Sequence, residues 1–536
     1  MKRSARSVAT SVVLISVACA GPGDRSASDA SAPSVVRASL AQDPASLSLL
    51  GKSDLTTEIV AYQITDALVR YDPSLRLVPR VAESWSWSDD RTELRFRLRE
   101  GVRWHDGAPV TADDVVFTVE RARDPAVENR TFAGLFRDLA TIDAPDPRTV
   151  RARFHSASHG ALEAFLVPLV PRHLAGKDAD LLTGAYSRHP IGCGPFRFVA
   201  HRPGQDLELA ANDDYWDGRP AIDRLVFKIL PDAATSYQAL LSGELDLLTV
   251  PAALWEEARS SAEAGRFSAL SFSTLSVWPV VWNQGSGSPY FRDQRVRQAL
   301  VHALDREEFA RTIGRGLARP GITTFHPDTV WADPDLSPRP YDRALAARLL
   351  DEAGWSDSNG DGVRDRNGIP FRFTLLLPTS SRLLTRQIAE WEQQSWASLG
   401  VVAEIRQLEW QAFRELRNSG RFDAASYNLL FTPEPDQFWD LFHSSATAAY
   451  NVYGLADPEV DRWLAAGREA VSDDDRRSAY RKLQRRLYEL EAVSCTFYFS
   501  TPVLHDRRLE GLTPSPIDLW RTTAGPQVWR WAAPRG

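Results

Sequence analysis

Glu93-Leu94-Arg95-Phe96-Arg97-Leu98-Arg99 is followed by Glu100-Gly101, then Val102-Arg103-Trp104-His105-Asp106-Gly107, and then Thr111-Ala112-Asp113-Asp114-Val115-Val116-Phe117. The first seven residues alternate charged and apolar side chains, the period-two pattern of a half-buried strand. Glu100-Gly101 turns the chain and Val102-Arg103-Trp104 continues the alternation, which predicts a hairpin. Thr111 with an acid three residues on has the spacing of a capping box, opening a helix through Val115, Val116 and Val119. His105-Asp106-Gly107 lies between these signals and reads as a turn, not as a catalytic His-Asp pair.

The same mixture extends outward. Leu225 to Leu230 is a mostly apolar strand candidate that leads into a helix over Ala233 to Leu241. Asp342 caps a helix ending at Gly354, a residue suited to the left-handed turn after a helix. Ser472 to Glu491 forms another helix with Tyr480, Leu483, Leu487 and Leu490 on one face. Strands that alternate with helices define an α/β protein with more than one sheet. No repeat and no low-complexity segment follows Pro33. No linker divides the body, as expected of a chain that crosses between lobes more than once.

The 536 residues are 43% hydrophobic and 25% charged, values that exclude a mainly disordered chain or a polytopic membrane protein. The net charge of -7 argues against a general nucleic-acid binder, so no nucleic-acid partner is expected. At the N-terminus, Lys2, Arg3 and Arg6 precede a short apolar run from Val8 to Ala18, too short to span a bilayer. This reads as a signal peptide over 1–18. Ser16-Val17-Ala18-Cys19 resembles a bacterial lipobox, with Cys19 as the acylated residue. Residues 20–33 are small, polar and proline-bearing, a flexible tether to a lipid anchor. The expected location is periplasmic or at the cell surface, anchored to the membrane. Cys193 and Cys495 remain, either as a disulfide in an oxidising compartment or as two buried free thiols.

Signatures of catalysis are missing. There is no HExxH, no GxSxG and no GxGxxG after a strand. Gly51-Lys52-Ser53 ends like a phosphate-binding loop, but Ser46 stands where the first glycine is required. Asp357, Asn359, Asp361 and Asp365 place oxygen ligands at positions 1, 3, 5 and 9 of a calcium-loop pattern, with Gly362 at position 6. Position 12, where such a loop needs a bidentate Glu, is Gly368. The alternatives are a structural calcium loop and a polar Asx turn. No cofactor is expected.

Further stretches complete a series: Leu77-Val78-Pro79-Arg80-Val81-Ala82-Glu83-Ser84-Trp85, Ile191-Gly192-Cys193-Gly194-Pro195-Phe196, Asn212-Asp213-Asp214-Tyr215-Trp216, Ser242-Gly243-Glu244-Leu245-Asp246 and Asp293-Gln294-Arg295-Val296-Arg297-Gln298-Ala299-Leu300. In order and spacing, the series resembles the family 5 extracellular solute-binding proteins of ABC importers, the dipeptide, oligopeptide and nickel type. The resemblance runs from about Ser34 to the C-terminus. It implies a type II periplasmic-binding-protein fold, α/β, with two lobes, a hinge and an extra subdomain. Lobe I would combine 34–53, 181–271 and 494–536, the subdomain would span 54–180, and lobe II would span 272–493, with hinge crossovers near Ser271 and Ser494. The implied partners are a peptide or small-molecule ligand and the permease subunits of the transporter. The implied state is a monomer without enzymatic activity. Gly192 and Gly194 would shape a loop, and Arg295 and Arg297 would fix a helix start.

Within the resemblance, Asn283 falls at a strand end where the family usually has Asn. The other cleft stretch is Asn428 to Trp439. Peptide-binding members carry an Asp in this loop for the peptide ammonium, and Phe431 occupies that place here. An apolar ring cannot balance a buried ammonium, which puts recognition of a free peptide N-terminus in question. Thr432 and Asp436 belong to the same candidate loop. Trp278, Trp282, Trp410 and Trp439 are either flat walls of the cleft or core residues. The expected activity is capture of a peptide-like or other medium-sized polar solute. The alternatives are a carrier of an oligosaccharide, an opine or a nickel chelate, and a ligand sensor for a signalling partner.

Overall fold

The computed structural model describes residues 33–48, 50, 54–124, 134–156, 160–174, 184–263, 265–285, 287–379, 383–446, 450–470 and 472–532. The expected signal peptide over 1–18, Cys19 and the expected tether up to residue 32 lie outside the described residues.

A sheet of 12 strands runs through the described residues. One half contains Phe196–Arg202, Asp206–Ala211, Arg224–Ile229, Val35–Leu40 and Leu247–Thr249, in that order. Val35–Leu40 is parallel to both of its neighbours. The other half runs Ala424–Ser426, Arg372–Pro378, Val402–Leu408, again with parallel pairing. Parallel strands are covered on both faces and read as apolar runs. Leu375-Leu376-Leu377 shows why. Leu375 and Leu377 enter the core around Trp282 and Trp396, and Leu376 enters the one around Phe413 and Tyr427.

Two long antiparallel strands, Phe267–Trp282 and Ser494–Asp506, join the halves. Leu248 pairs with Leu504 at one end, and Val281 pairs with Ala425 at the other. The register between the long strands shifts between Ser273 and Val277. An irregularity of this kind bends and twists a strand locally. Ser494 pairs with Val280, well inside the second half, and Ser500 pairs with Ser273 beside the register shift.

A separate antiparallel sheet has the order Ala82–Trp87, Glu93–Leu98, Thr149–Phe154, Leu139–Asp146. The helix Ala112–Arg123 supplies Val115 and Val119 to its core, beside Phe96, Leu98 and Val150. The capping box is present: Thr111 and Asp114 bond each other's backbone and side chains. The expected hairpin is not. Trp85 and Val150 flank Phe96, so both edges of Glu93–Leu98 are taken. Val102 to Val110 instead closes on itself, with Arg103 bridging Pro109 and the Val110 N–H donating to the Val102 carbonyl at 3.0 Å.

His105-Asp106-Gly107 is the turn of that small loop, and Gly107 adopts φ +90°. The His105 imidazole is held by backbone alone. Its Nδ1 accepts the Gly192 N–H at 3.2 Å, and Nε2 bonds the Gly194 carbonyl at 3.0 Å. Burial, with the nearby Arg197 charge, pushes its pKa down to about 4, so the ring is neutral and structural. Gly192 is required at this junction, because a Cβ there would lie 1.9 Å from the Ile64 carbonyl oxygen.

The other three helices expected from the sequence also form. Asp342 caps Arg343–Glu352, and Gly354 takes φ +82° after it. Asp232 caps Ala233–Ser242. Ser472 caps Asp473–Leu490 by accepting the Asp475 N–H. The last turn of that helix is held by Arg297, which donates to the Leu490 and Glu491 carbonyls. Arg295 bonds Asp293, the cap of its own helix Gln294–His302. Both arginines therefore act on helix ends.

Candidate functional site

The Asn428–Trp439 segment begins beside the register shift of the long strand. Leu429 and Leu430 pair with Val277 and Ser276, and the Phe431 N–H donates to the Leu275 carbonyl at 2.7 Å. Asn428 and Thr432 are exposed. The Phe431 ring turns inward onto Phe438, 5.2 Å away, and Phe438 packs on Phe325 at 4.2 Å. Gln437 folds the loop by donating to the Thr432 and Glu434 carbonyls at 3.0 and 2.9 Å.

The acids of this loop are engaged. Arg468 grips Asp436 with two hydrogen bonds of 2.7 and 3.0 Å. Arg476 forms an ion pair with Glu434, and both side chains are mostly buried. Burial works against the Arg476 charge, but the Glu434 carboxylate more than offsets it, so the guanidinium pKa is raised. Arg468 also lies over the Trp439 ring, 4.3 Å from its centre, and His443 stacks on that ring at 3.8 Å.

The smaller sheet's domain faces this loop. The turn Gly160–Leu166 brings Gly160 against Asp436, where a Cβ would sit 3.3 Å from the Asp436 Cβ. Glu163 from the same turn is 5% exposed, and its Oε1 accepts the Tyr71 hydroxyl at 2.9 Å. Burial, reinforced by the neighbouring Glu434 charge, pushes the Glu163 carboxyl up to about 8, against the hydrogen bonds of Tyr71 and Thr432. At neutral pH it is therefore largely protonated. Arg137 closes the contact with two hydrogen bonds to Asp440, at 3.1 and 2.9 Å.

The remaining candidates lie elsewhere. Trp282 is fully buried between Phe291 and Trp396, with its N–H on Ser494 Oγ at 2.7 Å; it is a core residue and presents no wall. Trp278 is 7% exposed, and its N–H reaches Ser426 Oγ at 3.2 Å. Asn283 spends its side-chain amide on the Gly420 and Phe422 carbonyls, at 2.9 and 2.6 Å, and accepts the Gly285 N–H. Trp410 is 41% exposed at the start of the helix Trp410–Asn418 and stacks on Phe413. Of the sequence candidates, then, the loop gathers Asn428, Phe431, Thr432, Asp436 and Trp439. Tyr71, Gly160, Glu163, Arg137, Arg468 and Arg476 were not foreseen, and no local spacing marks them.

The calcium-loop pattern forms an Asx turn instead. Asp357 accepts the N–H groups of Gly360, Asp361 and Gly362. Asp361 accepts Val363 N–H, and Asp365 is taken by Ser358. These oxygens are satisfied by the loop itself, and no group of three or more potential ligands for a metal occurs among the described residues. Cys193 and Cys495 are both free and buried in separate cores, so the pair does not form a disulfide. No helix among the described residues is long and apolar enough to cross a membrane.

Two sheet halves are joined by a pair of long strands, and a polar loop of one half meets an added domain. Residues 76–450 match the family "Bacterial extracellular solute-binding proteins, family 5 Middle", and the chain belongs to this family. It is 30% identical over 492 residues to the oligopeptide-binding protein AppA of Bacillus subtilis (strain 168), covering 88% of this chain and 87% of that one. It is 28% identical over 447 residues to heme-binding protein A of Haemophilus influenzae, covering 79% of each. The structure of Bacillus subtilis AppA in complex with a nonapeptide superposes with a TM-score of 0.77 at 26% identity, over 93% of this chain and 99% of that one. The family is one of solute-binding proteins of ABC transporters, and the fold is that of periplasmic binding proteins.

Proposed function

We propose that this protein captures a peptide-like or other medium-sized polar solute between two lobes and delivers it to the permease subunits of an ABC importer. Residues 34–53, 181–271 and 494–536 form the first lobe in this reading, 54–180 its subdomain and 272–493 the second lobe. The protein is exported by its 1–18 signal, acylated at Cys19, tethered by 20–33 and monomeric, and it carries no catalytic step.

One observation carries the reading. The sheet halves are joined by the Phe267–Trp282 and Ser494–Asp506 strands, whereas the contact between the subdomain and the segment 428–440 includes polar side chains such as Arg137–Asp440 and Glu163. Two strands hinge, and a small polar contact opens and closes; ligand between them biases the equilibrium.

A second reading narrows the ligand. Phe431 is apolar, and Glu434 and Asp436 already carry arginines. The loop thus offers no spare carboxylate to an ammonium, which favours a solute without a free peptide N-terminus: a blocked peptide, an oligosaccharide, an opine or a chelate. Mass spectrometry of the natively purified protein and of its denatured extract tests both readings. A ladder of free peptides would overturn the second reading, and a single non-peptide mass would support it. Absence of a ligand, together with no closure on exposure to mixed solutes, would sink the capture role.

A further inference from the structure

Phe267, Ala269 and Ser271 share one face of their strand, and Leu270 and Phe272 share the other. Leu270 and Phe272 pack towards Trp520 and Trp529, whereas Phe267 packs with Trp255 and Leu504. Over the Phe267 face lies an open groove of about 620 Å3. Its walls are the helix Trp255–Glu263 and the turn residues Arg315 and Gly316. Three guanidiniums line it, Arg259, Arg315 and Arg507, against the one carboxylate of Glu263.

The turn is built to present its arginine. Arg315 sits at φ +49° and Gly316 at +74°, and a Cβ on Gly314 would come within 2.8 Å of the Ala310 carbonyl oxygen. Left-handed backbone at a non-glycine residue is sparsely populated and held in place by its surroundings. Arg315 donates to the Ala253 carbonyl at 2.7 Å, and Arg507 to the Ala262 carbonyl at 3.3 Å. Among the described residues neither forms an ion pair with a carboxylate, and Arg259 has only Glu256, at 3.7 Å. In the Phe431 loop, by contrast, Arg468 and Arg476 are each matched to an acid.

We propose that this groove binds a small multivalent oxyanion, held by Arg259, Arg315 and Arg507 above a floor of Trp255 and Phe267. Guanidinium forks match phosphate and carboxylate geometry, and the volume is that of a small-molecule site. The strand edge from Phe267 to Ser271, Leu270 included, lines the groove, whereas Phe272 packs towards Trp520 and Trp529. The bound anion ties the Trp255–Glu263 helix to the turn before Ala318–Pro320, a strand that pairs with Phe497 to Phe499 of Ser494–Asp506. Occupancy therefore braces the joining strands.

Calorimetric titration of the intact protein with inorganic phosphate, at ionic strength matched with chloride, tests this. Saturable one-site binding is expected in the wild type. In Arg315→Gln/Arg507→Gln it weakens by about tenfold or more. Glu263→Gln removes the opposing charge and tightens binding, which keeps the test decisive if the double variant folds poorly. No saturable binding in the wild type overturns the proposal, as does unchanged affinity in the folded double variant. Binding to phosphatidylglycerol vesicles but not to free phosphate also overturns it, because the groove would then be reading a lipid surface.

Discussion

The Tyr71 hydroxyl donates to Glu163 Oε1 at 2.9 Å, joining two parts of the subdomain beneath the loop of the second sheet half. Among the described residues no cation pairs with this carboxyl; its acidic neighbours are Glu434 and Asp436, both on the facing loop, with Arg476 and Arg468 each turned to its own acid. Its pKa of about 8 lies well above the ordinary carboxylate range, through burial first and the Glu434 charge second. The folded protein therefore holds a proton that the unfolded chain has lost. Between about pH 4.5 and 8 the folded state binds more protons, so stability falls as pH rises through that window. Glu163→Gln keeps an acceptor for Tyr71 and removes the titration. Its unfolding free energy is expected to match wild type near pH 4.5 and to exceed it at pH 8 by about 1–3 kcal/mol, read as a higher melting temperature. Parallel melting curves for the two proteins at all pH values would refute the raised pKa.

Glu392 makes a second, separate case. It is fully buried on the helix Leu383–Ala397; Oε1 accepts the Thr496 hydroxyl at 3.1 Å, and among the described residues Oε2 has no partner. Burial alone pushes this carboxyl up to about 8, against the Thr496 bond. The sign is the same: stability is lost as pH rises from about 4.5 to 8. Glu392→Gln should flatten part of the alkaline loss. Sharing no partner with Glu163, it should add to Glu163→Gln within about 0.5 kcal/mol. Chemical denaturation of the two single variants and the double variant at pH 5 and 8 measures both effects.

Gly192→Ala is expected to destabilise by about 2 kcal/mol or more, because the new methyl meets the Ile64 carbonyl rather than a movable side chain. The same change at Gly107, where nothing lies within 4 Å, meets only the cost of its φ of +90°, about 1 kcal/mol. Urea midpoints of the two variants give the comparison. Equal losses would mean that the Gly192 junction relaxes.

The legible parts of this fold are the ones whose signals are local. Thr111 and Asp114 are three residues apart, as are Ser472 and Asp475, and both caps form as their spacing dictates. Phe96 alternates correctly, but alternation does not name a partner strand, and Thr149–Phe154 took the edge assigned to Val102. Cleft and core tryptophans cannot be separated by residue type; Trp282 and Trp410 differ only in what the distant chain places over them. Glu163 and Arg137 reach their loop from roughly 270 to 300 positions away, where no periodicity extends. Phe431 was readable only through its alignment with the family loop, and its neighbours show why an acid is not needed there: the charges of that loop are already matched.

The Glu434–Arg476 pair is the strongest test of that matching. Both side chains are mostly buried, and Arg476 also lies over the Trp331 ring, 4.9 Å from its centre. Removing one partner of a buried pair leaves an uncompensated charge, whereas removing both leaves only a packing defect. Arg476→Met is expected to lower stability by about 3 kcal/mol or more at pH 7. The loss should shrink as pH falls and Glu434 takes up a proton, since the lone carboxyl is costly only while charged. Glu434→Gln in the same chain should recover a large part of the loss, giving a favourable coupling in a double-mutant cycle. Denaturation of the four proteins at pH 5 and 7 measures the cycle. If Arg476→Met costs under about 1 kcal/mol at both pH values, the pair behaves as an exposed surface bridge. The loop would then have a carboxylate to offer a cationic ligand after all, and the preference for a solute without a free ammonium would fall with it.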